Sequence, residues 1–288
     1  MEWVHNGPIN PRDNKSIFVQ RSESLEIRHH IANKDNPVAI LSPRQTGKTT
    51  LLYQLQLDLH DRGYKTVYLD LSGYKNVEAY EFYRTIYEHI RDSCLKFQEE
   101  ENHDLCDTDC INSAETFLEY ILCLTAHTKS RKLIIMLDEI WGIPANITNT
   151  FFPNIRKLYN QGANPFIDDN HLYRKVIFII SGGLELRVLM DDINSPLYNI
   201  CERIDLKDFS LDQVHFLANN LQKFSIEERD IIAKIVYDWC DGHPYLTQFF
   251  YFLIEQNNEH LKEYLSQLPQ LLNKLAKKNF IYGNNLHK

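Results

Sequence analysis

The chain has 288 residues, of which 43% are hydrophobic and 24% are charged. This is the composition of an ordinary globular protein with enough core for one large domain or two modest ones, and 16 tyrosines with 15 phenylalanines argue against a disordered chain. The formal net charge of -8 excludes the overall basic surface of a dedicated nucleic-acid-binding protein, although a local basic patch remains compatible with it.

The sequence carries no sign of a membrane or export segment. No stretch is apolar for long enough to span a bilayer, and residues 1–5 lack the basic and then apolar regions of a signal peptide. We therefore expect a cytoplasmic protein with no membrane partner. Its six cysteines are then expected to be reduced thiols that mostly fill the core, as the apolar helical patterns around Cys123 and Cys240 suggest.

Residues 1–17 are polar and rich in turn-forming residues, which predicts an extended lead-in. From there to residue 209, short apolar runs typical of buried strands alternate with segments whose apolar residues recur at helical spacing. The predicted strands are 37–41, 65–71, 133–137, 176–180 and 204–206. The predicted helices of this region are 24–31, before the first strand, and 49–60, 78–97, 113–127 and 151–160 between the strands.

The pattern changes at residue 210, after which helical segments follow one another with no strand between them. These segments are 210–222, 225–239, 244–256 and 259–276. Alternating strands and helices predict a doubly wound parallel α/β sheet, and the later helices predict an all-helical lid subdomain. The expected parts are thus a lead-in over 1–17, an α/β domain over 18–209 and a helical lid over 210–288.

Residues 42–49 match the phosphate-binding P-loop pattern G-x-x-x-x-G-K-[ST] except at its first glycine, which is Ser42. A predicted strand precedes the segment and a predicted helix follows it, so that loop amides and the positive end of the helix dipole face a bound phosphate. In this pattern Gly47 lets the backbone approach closely, Lys48 reaches the outer phosphates and the Thr49 hydroxyl ligates Mg2+. The sequence therefore predicts a P-loop NTPase domain that binds a nucleoside triphosphate with Mg2+.

Two carboxylates, Asp138 and Glu139, directly follow the apolar run at 133–137. This places them at the carboxyl edge of the predicted sheet, where ligands bind in such folds. Asp138 is expected to complete the Mg2+ shell, as in a Walker B motif, and Glu139 to orient and polarise the attacking water. Ser181 ends the next buried strand and is a candidate sensor of the outer phosphate, with a plain strand-ending turn as the alternative. Glu139 and Lys48 are the candidate catalytic residues.

Four segments together resemble STAND-type AAA+ ATPases and the bacterial AAA-like domain family. Residues 18–23 resemble the lead-in motif of that group, 43–49 its P-loop, 195–199 a Ser-Pro-Phe-Asn segment and 242–246 its Gly-His-Pro-Tyr-Leu lid motif. The resemblance covers about residues 10–275 and implies an ATP-binding switch module.

The same resemblance implies which residues contact the nucleotide. The backbone beside Arg21 would cradle the adenine, although Gln20 stands where the family usually has glycine, and Pro244 of the lid motif would pack on the base. Together with the P-loop pattern, the expected nucleotide contacts are Val19, Gln20, Arg21, Pro43, Arg44, Gln45, Thr46, Gly47, Lys48, Thr49, Thr50, Ser181 and Pro244.

Our first hypothesis is an ATP-binding, slowly ATP-hydrolysing switch of the STAND or AAA-like type in signalling or defence. Its ligands would be ATP or ADP with Mg2+, and its partner a second copy of the chain or a sensor or effector protein. Two alternatives stay open. One is a module that holds nucleotide structurally without hydrolysis, which Ser42 and Gln20 allow. The other is a DNA-handling AAA+ ATPase, which the acidic balance disfavours because nucleic-acid partners are unlikely for such a surface.

Two further patterns, a possible zinc site and possible arginine fingers, are better explained by ordinary structural roles. His103, Cys106 and Cys110 lie close together in an acidic segment, but their spacing fits a solvated loop better than a zinc site. The candidates for an arginine finger are Arg156, Arg174, Arg187 and Arg203, for each of which a surface or salt-bridged role is simpler.

Overall fold

A computed structural model gives the fold and describes Trp3 and residues 7–95, 108–128 and 130–281. The chain forms two compact units. The first, called the sheet unit, comprises Arg21–Pro43 and Leu51–Leu206. The second, called the helical unit, comprises Met1–Gln20, Arg44–Thr50 and Lys207–Lys288.

The sheet unit is built on a parallel sheet of five strands in the order β2-β3-β4-β1-β5, and each neighbouring pair is parallel. Every residue of β1, β3 and β4 is buried, as expected for continuous apolar runs in a sheet that is covered on both faces. The strands are β1 (Val38–Leu41), β2 (Lys65–Asp70), β3 (Leu133–Asp138), β4 (Val176–Gly182) and β5 (Glu202–Asp205).

Side chains alternate between the two faces along each strand, and this alternation divides the core of the sheet unit into two layers. In β3, Ile134 and Met136 pack with Ile27 and Leu55 on one face. Ile135 and Leu137 pack on the other face, with a group of aromatic side chains. The helices of this unit are α1 (Ser22–Asn33), α2 (Lys48–His60), α3 (Ala79–Leu95), α4 (Ala114–His127), α5 (Ala145–Gly162), α6 (Leu172–Lys175) and α7 (Leu184–Asp191), with the first residues of α2 belonging to the helical unit. The doubly wound α/β fold predicted from the sequence is confirmed.

The helical unit has its own apolar core, in which the Trp3 ring stacks on the Tyr251 ring at a centroid distance of 5.0 Å. Its helices are α8 (Leu211–Ala218), α9 (Ile226–Cys240), α10 (Pro244–Gln256), α11 (Asn258–Glu263) and α12 (Leu268–Ala276). Capping boxes at Ser210 and Ser225 begin α8 and α9, and Pro244 at the first turn begins α10, because its missing N–H would have no helical partner there.

Some element boundaries differ from those predicted. The expected helix over 151–160 begins earlier, at Ala145, and runs through Pro153, because a buried apolar stripe holds the whole helix on the core. The single helix expected over 259–276 is two helices, α11 and α12, separated by a 3-10 turn at Leu265–Gln267. Pro269 in the first turn of α12 explains the break, since proline begins helices more readily than it continues them.

The described cysteines are free thiols. Burial raises the pKa of Cys94 to about 11 and that of Cys240 to about 12, so both thiols stay protonated at neutral pH. Across the described ranges, the longest and most apolar helices still fall short of what crossing a membrane requires.

His30 makes the stability of the sheet unit depend on pH. Its side chain is 5% exposed, Nε2 lies 3.3 Å from the Asn36 carbonyl oxygen, and Nδ1 lies 3.5 Å from a Glu202 carboxylate oxygen. Burial lowers the pKa of His30 below 6.5, and this effect outweighs the opposing hydrogen bond to Asn36 and the charge of Glu202. The unfolded chain therefore takes up this proton first as the pH falls.

We expect the free energy of unfolding to fall as the pH drops through 6.5, the ordinary pKa of histidine. The His30→Gln variant keeps an amide that can donate to Asn36 but cannot titrate, so it should lose less stability between pH 7.5 and pH 5.5. Urea unfolding of both proteins at the two pH values measures the difference. Equal losses would contradict a titrating role for His30.

Candidate functional site

The segment that matches the P-loop is a tight turn between β1 and α2. Two of its residues have left-handed backbone, Gln45 with φ 63° and Gly47 with φ 90°. Glycine adopts this conformation without cost, whereas at Gln45 it costs about 1 kcal/mol. The Thr46 and Lys48 side chains are buried, at 3% and 5% exposed. Buried side chains and a strained backbone are typical of a loop that is shaped to hold a ligand.

Ser42, the position that departs from the P-loop pattern, has no left-handed backbone. Its side chain is buried and its hydroxyl donates to the Pro43 carbonyl oxygen at 3.2 Å. Nothing in the backbone here requires glycine, so the substitution is compatible with the loop.

Asp138 and Ser181, two of the predicted site residues of the sheet unit, both lie at the carboxyl edge of the sheet. In the register, Ile40 of β1 pairs with Ser181 of β4, and Leu137 of β3 pairs with Ile180. Asp138 and Ser181 are therefore at corresponding positions of neighbouring strands, which lie about 4.8 Å apart. The loop starting at Ser42 leaves β1 on the other side of β4.

Asp138 is completely buried, and donors from β2 and from the next residue hold its carboxylate. The Tyr68 hydroxyl donates to Oδ2 at 3.2 Å, and the Glu139 amide N–H donates to Oδ1 at 3.0 Å. Burial, together with the charge of Asp138, raises the pKa of Tyr68 well above its usual value. Tyr68 therefore remains protonated and keeps donating to Asp138.

Glu139 begins a tight turn in left-handed backbone, with φ 53° and ψ 50°. The indole N–H of Trp141 donates to Glu139 Oε2 and fixes one oxygen of the carboxylate. The turn packs closely on the end of β2, because a Cβ added to Gly142 would lie 1.8 Å from the Leu71 carbonyl oxygen. The tight turn thus fixes the backbone of Glu139, and Trp141 restrains its side chain.

Ser181 is completely buried, and its Oγ has no hydrogen-bond partner within the described residues. An unpaired buried hydroxyl costs about 1–3 kcal/mol, so native proteins seldom keep one without a reason. Ser181 lies next to the last residue of β4, at the carboxyl edge of the sheet.

The lead-in up to Gln20, the P-loop residues Arg44–Thr50 and the lid motif belong to the helical unit, whereas Arg21 and Pro43 belong to the sheet unit. The Ile9 amide donates to Thr50 Oγ1 at 3.0 Å, and the Gln213 side chain donates to the Gln20 carbonyl oxygen at 3.3 Å. Val19 lies in the core of this unit, and Pro244 is buried at the start of α10. The helical unit thus contains parts of three predicted nucleotide-binding segments.

Comparison with known families decides the identity. A sequence model of the AAA-like domain matches residues 6–288. The chain belongs to the AAA-like domain family.

The AAA-like chain has a curated relative in Synechocystis, an uncharacterised WD repeat-containing protein. The two are 30% identical over 141 residues, which is 48% of this chain and 11% of the relative. The AAA-like chain therefore matches only a small part of that longer protein.

Two archaeal structures share the fold of the AAA-like chain. The Walker-type ATPase PABY2304 of Pyrococcus abyssi superposes with a TM-score of 0.61 at 16% identity, covering 95% of this chain and 79% of the other. The ORC2 protein of Aeropyrum pernix, solved in ADPNP–ADP complexes, gives 0.57 at 12% identity, covering 93% and 72%. At such low identity these likenesses establish the P-loop ATPase fold alone.

The sequence analysis did not predict three contacts that the structure of the AAA-like chain shows. Tyr68 reaches Asp138 through the β2–β3 register, which local pattern does not reveal. Gln54, on α2, accepts from the Arg21 amide at 3.4 Å and so anchors the lead-in motif. Trp141 could have been suspected from its place two residues after Glu139, although only the structure gives the contact.

Arg203 and Arg187, two of the candidate arginine fingers, form ion pairs within the described residues of the AAA-like chain. Arg203 pairs with Asp191 at 2.6 Å, and Arg187 pairs with Asp205 at 2.9 Å. His103 and Cys106 lie outside the described residues. Within those ranges, no group of three or more potential metal ligands comes together.

Proposed function

We propose that this AAA-like protein binds ATP with Mg2+, hydrolyses it slowly and acts as a nucleotide-dependent switch in signalling or defence. One observation carries the proposal. The carboxyl edge of the sheet sets the buried Asp138 beside the buried Ser181 hydroxyl, which has no partner among the described residues. β4, which bears Ser181, is the neighbour of the strand that leads into the P-loop. In open α/β sheets this edge is where ligands bind.

The P-loop would hold the phosphates and the lead-in would hold the base. Backbone amides at the start of α2 favour a phosphate, and Lys48 adds a positive charge to them. The proposed contacts to the base are Val19, Gln20, Arg21 and Pro244, and the remaining contacts are the P-loop residues 43–50 with Ser181 as sensor of the outer phosphate.

The donor set fits Mg2+. Thr49 and Asp138 offer a hydroxyl and a carboxylate oxygen, the hard ligands that Mg2+ prefers beside the phosphates of its nucleotide. The Tyr68 hydroxyl and the Glu139 amide donate to the Asp138 carboxylate and hold it in a fixed orientation, as ligands of a metal ion commonly are. When bound, the ion neutralises charge on the phosphates.

Glu139 would orient the attacking water and accept its proton. The Trp141 N–H restrains one carboxylate oxygen, so the group keeps a defined direction without the freedom of an exposed glutamate. Slow turnover is proposed because a switch must dwell in its ATP-bound and ADP-bound states.

The binding site is tested by Lys48→Ala. Loss of a charged donor to phosphate is expected to weaken ATP and ADP binding by roughly tenfold to a hundredfold. Titration with a fluorescent ADP analogue measures the affinity. The matched control is Lys234→Ala, which removes the same charge from an exposed position on α9 and should bind as wild type. Full affinity in Lys48→Ala would show the site assignment to be wrong.

The switch is tested by the size of the protein in solution. The WD repeats named in the Synechocystis relative support a sensor or effector partner, and a second copy of this chain is the simplest other partner. Gel filtration with ADP and with a non-hydrolysable ATP analogue should give different sizes. Bound ADP that survives purification without any turnover would instead identify a module that holds nucleotide structurally.

A further inference from the structure

The buried face of α10 carries two polar atoms that the proposed function has not used. Thr247 is completely buried and Gln248 is 4% exposed. They follow Pro244 by three and four residues, so each of them is a neighbour of Pro244 on the helix surface, and all three are buried.

Neither polar atom has a hydrogen-bond partner in the part of the chain that the structure describes. A threonine hydroxyl inside a helix commonly bonds to the carbonyl of the preceding turn. Thr247 Oγ1 makes no such bond, and Gln248 Oε1 is also unpaired, as judged over the described residues. Two buried side-chain oxygens without partners on consecutive residues are rare in native proteins and point to a ligand.

The direction of the Gln248 amide is fixed by its other atom. Nε2 donates to the Ile17 carbonyl oxygen at 3.1 Å. Because a carbonyl can only accept, the amide nitrogen must face Ile17, and Oε1 is left as an acceptor with no freedom to exchange places with it.

These atoms belong to the same unit as the P-loop residues Arg44–Thr50 and the lead-in up to Gln20. The lead-in contacts the start of α2 through the Ile9 amide and Thr50 Oγ1, and it contacts Gln248 through Ile17. One continuous segment thus links the proposed phosphate site to the helix face on which Pro244 would meet the base.

We propose that Thr247 and Gln248 select adenine over guanine, an inference that rests on the proposed nucleotide site. Gln248 Oε1 accepts a hydrogen bond from the 6-amino group of adenine, and the Thr247 hydroxyl donates to the adjacent ring nitrogen. Guanine carries a carbonyl oxygen at the same ring position, which would set an acceptor against the fixed acceptor of Gln248. A site whose buried polar group is left unpaired by the wrong ligand discriminates strongly against it.

Competition against a fluorescent ADP analogue tests the selectivity in the wild-type protein, with ADP, GDP and IDP as competitors. IDP replaces the 6-amino group of ADP by oxygen and lacks the 2-amino group of GDP. We expect ADP to bind about tenfold or more tightly than both. Equal binding of the three would overturn the base-selection proposal while leaving the proposed function standing. Failure of every nucleotide to bind would overturn both.

The Thr247→Val variant distinguishes a role of Thr247 in base recognition from a role in folding. It replaces an unpaired hydroxyl by a methyl group of similar shape, so the nucleotide-free protein should unfold at the same temperature or higher. ADP affinity should fall by about tenfold and the preference over IDP should shrink. Gln248→Met, of similar volume, should abolish that preference.

The matched control is Thr125→Val in α4, where the buried threonine hydroxyl donates to the Ile121 carbonyl oxygen at 2.7 Å. It should keep the wild-type ratio of ADP to IDP affinity. A Thr247→Val or Gln248→Met protein that folds and retains the wild-type ratio would overturn the proposal, because a merely structural role leaves that ratio unchanged.

Discussion

Replacing Glu139 by glutamine is expected to lower the rate of ATP hydrolysis about 10²–10⁴-fold and leave nucleotide affinity near that of wild type. Glutamine has nearly the same shape, and its amide oxygen can still accept from the Trp141 indole N–H. The substitution therefore removes the negative charge and the basic oxygen without removing the anchor. The proposed roles of Lys48, Thr49 and Asp138 in binding are untouched.

Single-turnover hydrolysis measures this effect best, because wild-type turnover is expected to be slow and product release need not limit the signal. The matched control is Glu119→Gln on α4, which removes the same charge from an exposed position and should hydrolyse ATP as wild type. If Glu139→Gln hydrolyses normally, Glu139 does not activate the water. If neither the variant nor the wild type hydrolyses ATP, the protein holds nucleotide without catalysis.

The fold was predictable because its signals are local. The apolar runs that became β1, β3 and β4 could be buried on both faces only in a parallel sheet with helices on each side. The lid helices were predictable because capping residues and periodic apolar side chains coincide along α8, α9 and α10. The proposed boundaries of the three parts remain predictions, since the compact units of the structure cut the chain differently.

The site was only partly predictable, because strand order is a long-range property. Sequence patterns placed Asp138 and Ser181 at strand ends, but nothing local puts β4 between β1 and β3. The hydrogen bond from Tyr68 to Asp138 could not be predicted either, because it depends on how β2 pairs with β3. Ser42 looked like a defect in the motif, and only the backbone shows that this position needs no glycine.

Gly242 in the lid motif is expected to be costly to replace. It has a left-handed backbone with φ +72°, and a Cβ at this position would lie 1.9 Å from the Phe209 carbonyl oxygen. The same two residues are joined by the Phe209 amide, which donates to the Gly242 carbonyl oxygen at 2.8 Å. A methyl group cannot enter without separating these backbones, so it must break that hydrogen bond as well.

We expect Gly242→Ala to lower the free energy of unfolding by at least about 3 kcal/mol, from left-handed strain, the clash and the lost hydrogen bond together. Urea unfolding followed by circular dichroism measures the loss. Gly63→Ala is the matched control, because Gly63 also has left-handed backbone, with φ +80°, but an added Cβ meets nothing within 4 Å. It should cost only the strain, roughly 1–2 kcal/mol. Equal losses in the two variants would mean that the close approach to Phe209 is not what fixes glycine in this motif.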